Sequence, residues 1–444
     1  MFRGILIGLA LLTGHLSAGD RPNLILVLVD DFGRELIGCL GGESYQTPNI
    51  DRLAADGMRF DICYATPMCS PTRNMLLSGK YNFRNYTTWG EYRFDSESTI
   101  ANRLVEAGYR TAIVGKWHLG GWEEAPFGPK RAGFQRWCTF NYPEQLAEDE
   151  HGLGNFFWNT HLRQDGERRR FGEVYAPAAF RDYSLRFIEE SAAAGEPFFL
   201  YYPMILAHRP FVPTDAEGET GADHRGRRGA LKNFPAMVGY VDATVGAIRE
   251  TLRRTGQAER TLLVFTSDNG TDCVAEAREL RSRYQREMVQ GGKYHPTELG
   301  ANVPLFAVWP GVVEPGSRYA GPVDLTDLYP TACRLAGLDP PSDVDGHDLT
   351  GLLRGEGRST RKFAYTWGVF ERSSAKYKAP QEHRGDLLHV LRDERWKYRS
   401  DNVLHDLSAG WPEGDPVPRG EHREVRESMR SALRALRQSE PRLW

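Results

Sequence analysis

The chain has 444 residues, 40 % of them hydrophobic and 26 % charged, and its 56 basic and 59 acidic side chains leave a formal charge of -3. That length holds one large domain with an appendage, or two to three domains, with ample apolar material for a core. Such a balance excludes the strong charge asymmetry of a nucleic-acid binder or of a protein held on an anionic membrane. The local basic clusters "ERRR" (Glu167–Arg170) and "HRGRR" (His224–Arg228) read as solvated loops.

The first stretch, "MFRGILIGLALLTGHLSAGD", has a positive charge at Arg3, an apolar run from Ile5 to Leu12 and small residues at Ser17, Ala18 and Gly19. It is too short to span a bilayer and predicts a secretory signal peptide over residues 1–18, cut near Ala18. The mature protein is then expected in the periplasm or outside the cell, with no lipoprotein anchor and no membrane span. Cysteines stand at 39, 63, 69, 138, 273 and 333, sparse and irregular. That spacing describes neither a disulfide scaffold nor a zinc site, although some could pair in an oxidising compartment.

"PNLILVLVDD" (Pro22–Asp31) is a continuous apolar run ending in two acids, the pattern of a strand buried on both faces of a parallel sheet. "TPNIDRLAADGMRF" predicts a helix capped by Asn49, a stop at Gly57 and a new strand. Helix-then-strand units recur, with strands at Thr111–Val114, Phe198–Tyr202 and Thr261–Thr266. "NVPLFAVWPG" adds another buried strand and "DLTDLYPTACRLAGL" another helix. This alternation predicts an α/β domain over residues 22–340: a large, mostly parallel sheet sandwiched by helices.

Beyond Pro340 the texture changes. "PPSDVDGHDLTGLLRGEG" reads as a linker and "DLLHVLRDERWKYRSDNVLHDL" as a hairpin. "REVRESMRSALRALRQ" places Val425, Met429, Leu433 and Leu436 on one helical face. Residues 341–444 are therefore expected to form a small α+β subdomain, antiparallel strands with one packed helix.

Polar residues close several of the predicted strands: Asp30 and Asp31, Lys116 and His118, His208, then Asp268 and Asn269. In open parallel sheets that edge is where ligands bind. Three carboxylates and an amide suit a hard divalent cation, calcium first and magnesium second, whereas zinc would recruit His or Cys. Arg73, Lys116 and Lys293 around such a cation would make a pocket for a tetrahedral anion. Lys116 and His118 flank Trp117, so an extended loop would point both the same way. At the mouth of an apolar run stands "CSPTRNMLLSGKY", whose Cys69 by itself fits a disulfide half, a metal ligand, a nucleophile or a core residue.

Taken in order, "LVDDFG", "TPNIDRLAADGMRF", "CSPTR" with "LLSGKY", "GKWHLG", "HRP", "TSDNG" and "GGK" resemble the formylglycine-dependent sulfatases of the alkaline-phosphatase-like superfamily. The resemblance runs from about Pro22 to Gly311, with a weaker echo in "LRDERWKYR" and "LHDL". It implies that a maturation enzyme reads Cys69, Pro71 and Arg73 as an extended peptide and oxidises Cys69 to formylglycine. A hydrated aldehyde has two geminal hydroxyls, one to attack sulfur and the other to expel sulfate as the aldehyde re-forms; a serine has only the first.

Carried onto this chain, the resemblance makes Asp30, Asp31, Asp268 and Asn269 the calcium ligands, completed by an oxygen of residue 69. Arg73 and Lys116 would hold the hydrated aldehyde and sulfate oxygens, and His118 would take the proton that triggers elimination. His208 and Lys293 would bind the ester, one of them protonating the leaving oxygen. A helix beginning just after Pro71 would set its positive end beneath the sulfate. The expected reaction is hydrolysis of sulfate monoesters, with a sulfated carbohydrate as substrate. Trp89, Arg93, Trp122, Arg163 and Arg209 are candidates for recognising an acidic sugar. Competing readings are a phosphonate monoester or phosphodiester hydrolase of the same superfamily, and a non-catalytic glycan-binding protein on the same scaffold.

Overall fold

The computed structural model describes residues 21–85, 98–120, 127–140, 157–158, 160–170, 174–218, 229–369, 387–410 and 413–438. The expected signal peptide, the basic run at 224–228, and Trp89, Arg93 and Trp122 lie outside the described residues.

Strand β1 (Asn23–Val29) is buried at all seven positions. Its even-numbered side chains Leu24, Leu26 and Leu28 join one hydrophobic cluster, while Ile25, Val27 and Val29 join another on the opposite face. That is why the run shows no alternation: both faces are covered, and each apolar side chain contributes about 1.5–3 kcal/mol by leaving water.

Around β1 the chain adds β2 (Met58–Tyr64), β3 (Arg110–Lys116), β4 (Arg136–Phe140), β5 (His161–Gln164) and β6 (Glu167–Arg170). Next come β7 (Phe198–Pro203), β8 (Thr261–Ser267), a hairpin of β9 (Ser282–Tyr284) with β10 (Glu287–Val289), then β11 (Leu305–Val308) and β12 (Ser317–Asp324). The large sheet runs β12-β2-β11-β8-β1-β7-β3-β4-β5-β6. Its centre, β8-β1-β7-β3-β4, is parallel throughout. Strands β11 and β5 run against their neighbours, so the "NVPLFAVWPG" strand is antiparallel.

Helices cover both faces. Pro48–Ala55, Ala176–Ala194 and Phe234–Arg254 pack into the cluster of Ile25 and Val27, and Cys69–Ser78, Ile100–Glu106 and Leu328–Leu335 into that of Leu24 and Leu26. Two sequence expectations are corrected. The first helix is preceded by Thr47 and carries Pro48 in its first turn; Asn49 instead bonds Asp242 across to the Phe234–Arg254 helix, at 2.7 Å. The "ERRR" cluster is an edge strand rather than a loop. No two of the six cysteines are bonded to each other.

A second sheet, β13 (Ala364–Val369), β14 (Leu387–Arg392), β15 (Trp396–Arg399) and β16 (Leu404–Asp406), is antiparallel. The Arg423–Gln438 helix buries Met429 and Leu433 in the same cluster as Trp367, Leu391 and Tyr398. The stretch read as a linker is bonded into the large domain: Asp345 N–H donates to Gly79 O (2.8 Å) and the Asp345 carboxylate accepts from Tyr81 N–H (2.8 Å). Among the described residues no helix is long and apolar enough to cross a membrane.

Candidate active site

Parallel register builds the centre of the site. Val29 lies opposite Ser267 in the β1–β8 pair, so Asp30 and Asp31 leave the sheet beside Asp268 and Asn269. Asp268 N–H donates to Val29 O (3.0 Å), and Asp31 N–H donates to the Asp268 carboxylate (3.2 Å). Asp31 has φ 55, the left-handed region an aspartate enters only when its surroundings impose it. Lys116 is the last residue of β3, two strands away, and His208 lies beyond the end of β7 between them.

Cys69 opens a ten-residue helix, Cys69–Ser78, in which every residue is buried. The expectation of a helix starting just after Pro71 is thus corrected by three residues: Met68 is extended (φ -150, ψ 144) and Cys69 occupies the first turn. Placing residue 69 inside the helix aims its side chain at the strand ends, with Sγ 3.8 Å from Asp31 Oδ1. Gly79 (φ 68) ends the helix in the left-handed conformation typical of a helix stop. Lys293 arrives on a loop that passes very close to its neighbour; a Cβ on Gly292 would lie 2.4 Å from Gly300 N, which explains the two glycines before the lysine.

One ligand atom from each of Asp30, Asp31, Cys69 and Asp268 lies within 4.8 Å of the others, and all four residues are buried. Cations surround them. Lys116 Nζ donates to Asp30 (2.6 Å), Arg73 Nη2 to Asp268 (2.6 Å) and Lys293 Nζ to Asp31 (2.7 Å). Arg73 Nη2 is also 3.5 Å from Asp30, and Arg73 Nη1 donates to Lys116 O (3.0 Å). His208 Nε2 stands 3.7 Å from Asp31 Oδ2. His118 is buried, takes φ 51 and is bonded through its carbonyl to Ser70 Oγ (2.8 Å). The chain therefore turns at His118 rather than running extended past Trp117, a second correction, but the imidazole still feels Lys116, Arg73 and Asp30.

Electrostatics follow from this crowding. Burial by itself would raise Asp30, yet Lys116, His208, Arg73 and Lys293 outweigh it and hold the carboxyl well below its usual range. Asp268 goes the other way, pushed up to about 7 by burial and by Asp30 despite Arg73. Burial, with Lys116 and Arg73, keeps His118 well below an ordinary imidazole; burial, with Lys293 and Lys116, lowers His208 to about 4. Both rings are thus neutral near neutral pH. The Cys69 thiol is raised well above its usual value by burial, Asp268 and Asp30, so as a thiol it is neither a thiolate ligand nor a ready nucleophile.

The donor set fits a hard cation. Asp30 Oδ1 and Asn269 Oδ1 are buried without a hydrogen-bond partner, while Asn269 Nδ2 is occupied by Asp31 (2.7 Å). Buried oxygens in that state are what an oxygen-seeking divalent ion satisfies. Three carboxylates against Arg73, Lys116 and Lys293 cancel formally, so a dication would leave the site positive and receptive to an anion.

All the residues expected at the centre converge there: Asp30, Asp31, Cys69, Arg73, Lys116, His118, His208, Asp268, Asn269 and Lys293. Other candidates separate. Arg209 lies next to His208 and is held by the buried Asp272 (2.8 Å). Arg163 is on β5, four strands across from β1, with its guanidinium 5.3 Å from the Phe127 ring. Cys273 donates to Lys293 O (3.4 Å), a structural contact. Thr271 went unread in the sequence: its hydroxyl accepts from Gly33 N–H (3.0 Å) and its carbonyl from Lys293 N–H (3.1 Å), tying the acidic loop to the lysine loop. Its position two residues after "DN" at the strand end was the available signal.

Residues 22–338 match the family model described as Sulfatase. The chain belongs to the sulfatase family. It is 34 % identical over 375 residues to N-acetylgalactosamine-6-sulfatase of Mus musculus, covering 77 % of this chain and 69 % of that one. Arylsulfatase A of Homo sapiens is 31 % identical over 410 residues, 85 % and 77 % of the two chains. Among solved structures, the PsFucS1 sulfatase from Pseudoalteromonas sp. superposes with a TM-score of 0.74 at 25 % identity, covering 96 % of this chain and 92 % of that one. This sulfatase is accordingly a sulfuric ester hydrolase built on the alkaline-phosphatase-like fold.

Proposed function

We propose that this sulfatase is a secreted or periplasmic, calcium-dependent enzyme that hydrolyses sulfate monoesters on carbohydrates, with formylglycine made from Cys69 by a separate maturation enzyme. In this reading residues 1–18 are a signal peptide, 22–340 the catalytic domain and 341–444 a C-terminal subdomain. The observation that carries it is the cage around residue 69, where one oxyanion can meet Arg73, Lys116, Lys293 and His208 while a cation sits against Asp30, Asp31, Asp268 and Asn269. The similarity to a sulfatase named for N-acetylgalactosamine 6-sulfate supports a sulfated sugar as substrate.

Calcium would be held by Asp30, Asp31, Asp268, Asn269 and an oxygen of residue 69; together, calcium and formylglycine supply a polarised, geminal-diol nucleophile. The remaining work falls to side chains. Lys293 and His208 bind the sulfate oxygens and the bridging ester oxygen, and Lys293, a protonated amine fixed by Asp31, is placed to protonate the leaving alcohol. Arg73 and Lys116, buried and anchored on Asp268 and Asp30, neither move nor gather solvent as charge builds on the anion. His118, neutral because buried among cations, accepts a proton at its imidazole as sulfate leaves.

The deciding experiment takes one preparation in which peptide mass spectrometry shows Cys69 converted, and compares a panel of sulfated monosaccharides with a phosphate diester and a phosphonate monoester. Faster turnover of a sulfated sugar is expected, together with its loss in Cys69→Ala. Preferred cleavage of the phosphorus esters would replace this reading with the phosphohydrolase one. Sugar binding without any turnover by matured protein would make the chain a glycan-binding scaffold.

A further inference from the structure

We propose that a groove along the C-terminal helix is a second anion subsite, which holds a sulfated stretch of the glycan beyond the ester being cleaved. The inference rests on the carbohydrate reading above and extends it to a part of the molecule outside the catalytic cage.

The groove is a cavity of about 570 Å³ between the Arg423–Gln438 helix, the β15–β16 turn and Phe83. Helical spacing brings Arg430, Arg434 and Arg437 onto one strip that faces into it. Arg430 is already committed: it donates to Asn402 Oδ1 (2.7 Å), Tyr398 OH (3.3 Å) and Glu427 (3.2 Å). Asp401, the acid in the lining, is taken by Arg399 at 2.6 Å. Among the described residues no carboxylate pairs with Arg434 or Arg437, so two exposed guanidinium charges in a concave site go uncompensated.

The rest of the lining matches one ligand chemistry. Guanidinium forks suit sulfate or carboxylate groups, and Ser400 and Asn402 offer hydroxyl and amide partners for sugar hydroxyls. An ordinary solvated basic helix needs none of these companions. The groove also adjoins the nucleophile's element: Phe83 follows Asn82, whose amide donates to Pro71 O (2.8 Å) inside the Cys69–Ser78 helix. In this proposal a polymer with its ester in the cage extends along this flank.

The test uses full-length protein carrying Cys69→Ala, so that nothing is turned over, and measures calorimetric binding of a chondroitin 6-sulfate hexasaccharide, its desulfated counterpart and inorganic sulfate. Adding R434Q with R437Q is expected to raise Kd for the sulfated hexasaccharide about tenfold, with R434K plus R437K retaining most of the affinity. In the Cys69-bearing, matured enzyme the R434Q/R437Q pair is expected to leave hydrolysis of N-acetylgalactosamine 6-sulfate unchanged. Equal binding of the sulfated hexasaccharide by the R434Q/R437Q protein overturns the subsite, as does equal affinity for the desulfated sugar or binding of inorganic sulfate alone. Failure of the matured enzyme to hydrolyse any sulfated sugar, with hexasaccharide binding still dependent on Arg434 and Arg437, would sink the catalytic reading and leave the groove standing.

Discussion

Lys293 and Asp31, 262 positions apart in the chain, meet at 2.7 Å in the buried floor of the site. Removing one partner of a buried ion pair costs about 3–5 kcal/mol, because the other charge is left uncompensated. Lys293→Met should therefore lower Tm by several degrees in chelated protein, and calcium should restore most of that loss by replacing the missing charge. The same variant should lose about 10²-fold or more in kcat/KM. A Tm deficit that calcium leaves untouched would show the pair to be holding the fold alone.

Chelation should silence the enzyme. Asp30 Oδ1 and Asn269 Oδ1 are buried and unbonded, and Asp30, Asp31 and Asp268 crowd one another. Calcium at about 100 times its Kd should add roughly 2.7 kcal/mol to stability, with magnesium adding less. Full activity in protein that elemental analysis finds free of divalent metal would remove the cation from the mechanism.

For His118 the expected outcome is a fall in kcat of about 10²–10⁴-fold on substitution by alanine. Its imidazole lies well below 6.5 and that of His208 at about 4, so both stay neutral as pH falls through the ordinary histidine range. The acid limb of kcat/KM should then sit below pH 6.5. A limb at or above that value would contradict the assignment of His118 as a proton acceptor.

Glu35 gives a pH dependence of stability apart from catalysis. Burial pushes its carboxyl from 4.5 up to about 7, and Thr271 and Arg34 offset this only partly. Because the folded pKa is the higher one, its stabilising contribution is present below about pH 4.5 and is lost as pH rises through about 7. The loss amounts to roughly 3 kcal/mol at full ionisation. Glu35→Gln should flatten the denaturation free energy across that window, and an unchanged slope would mean that another group titrates there.

Arg209 stands next to His208 and is clamped by the buried Asp272; in the proposed reading it would contact the sugar rather than the sulfur. Arg209→Met should raise KM for a sulfated disaccharide about tenfold with kcat nearly unchanged. A selective fall in kcat would move Arg209 into the chemistry instead.

The strand ends were legible because a parallel strand buried on both faces announces itself as an unbroken apolar run, and the first polar residue after it marks the edge. Asp30, Lys116 and Asp268 were read that way. Cys69, Arg73 and Lys293 lie off the strands, and no periodicity speaks for them; the charge of Arg73 and Lys293 suggested an anion pocket, and the motif resemblance gave Cys69 its role. What stayed hidden depends on partners distant in sequence. The helix start at Cys69 is set by an extended Met68, the turn at His118 by the packing of its carbonyl on Ser70, and the antiparallel β11 by its neighbours β8 and β2. The edge strand β12 pairs with β2 in an irregular register, and its exposed and buried residues do not alternate cleanly enough to betray a strand.

Cys69 keeps only 3 % of its surface in the finished fold. In the proposed maturation, a catalyst that grips Cys69, Pro71 and Arg73 as a straight peptide would have no access once the sheet has closed, so the alteration would belong to the life of the nascent chain. Lys293, the last wall of the chamber, is synthesised some two hundred residues after the cysteine, a delay of tens of seconds at about 5–20 residues per second. Slowing or hastening synthesis across that interval is then a handle on how many molecules emerge chemically competent, with no change to a single contact in the folded protein.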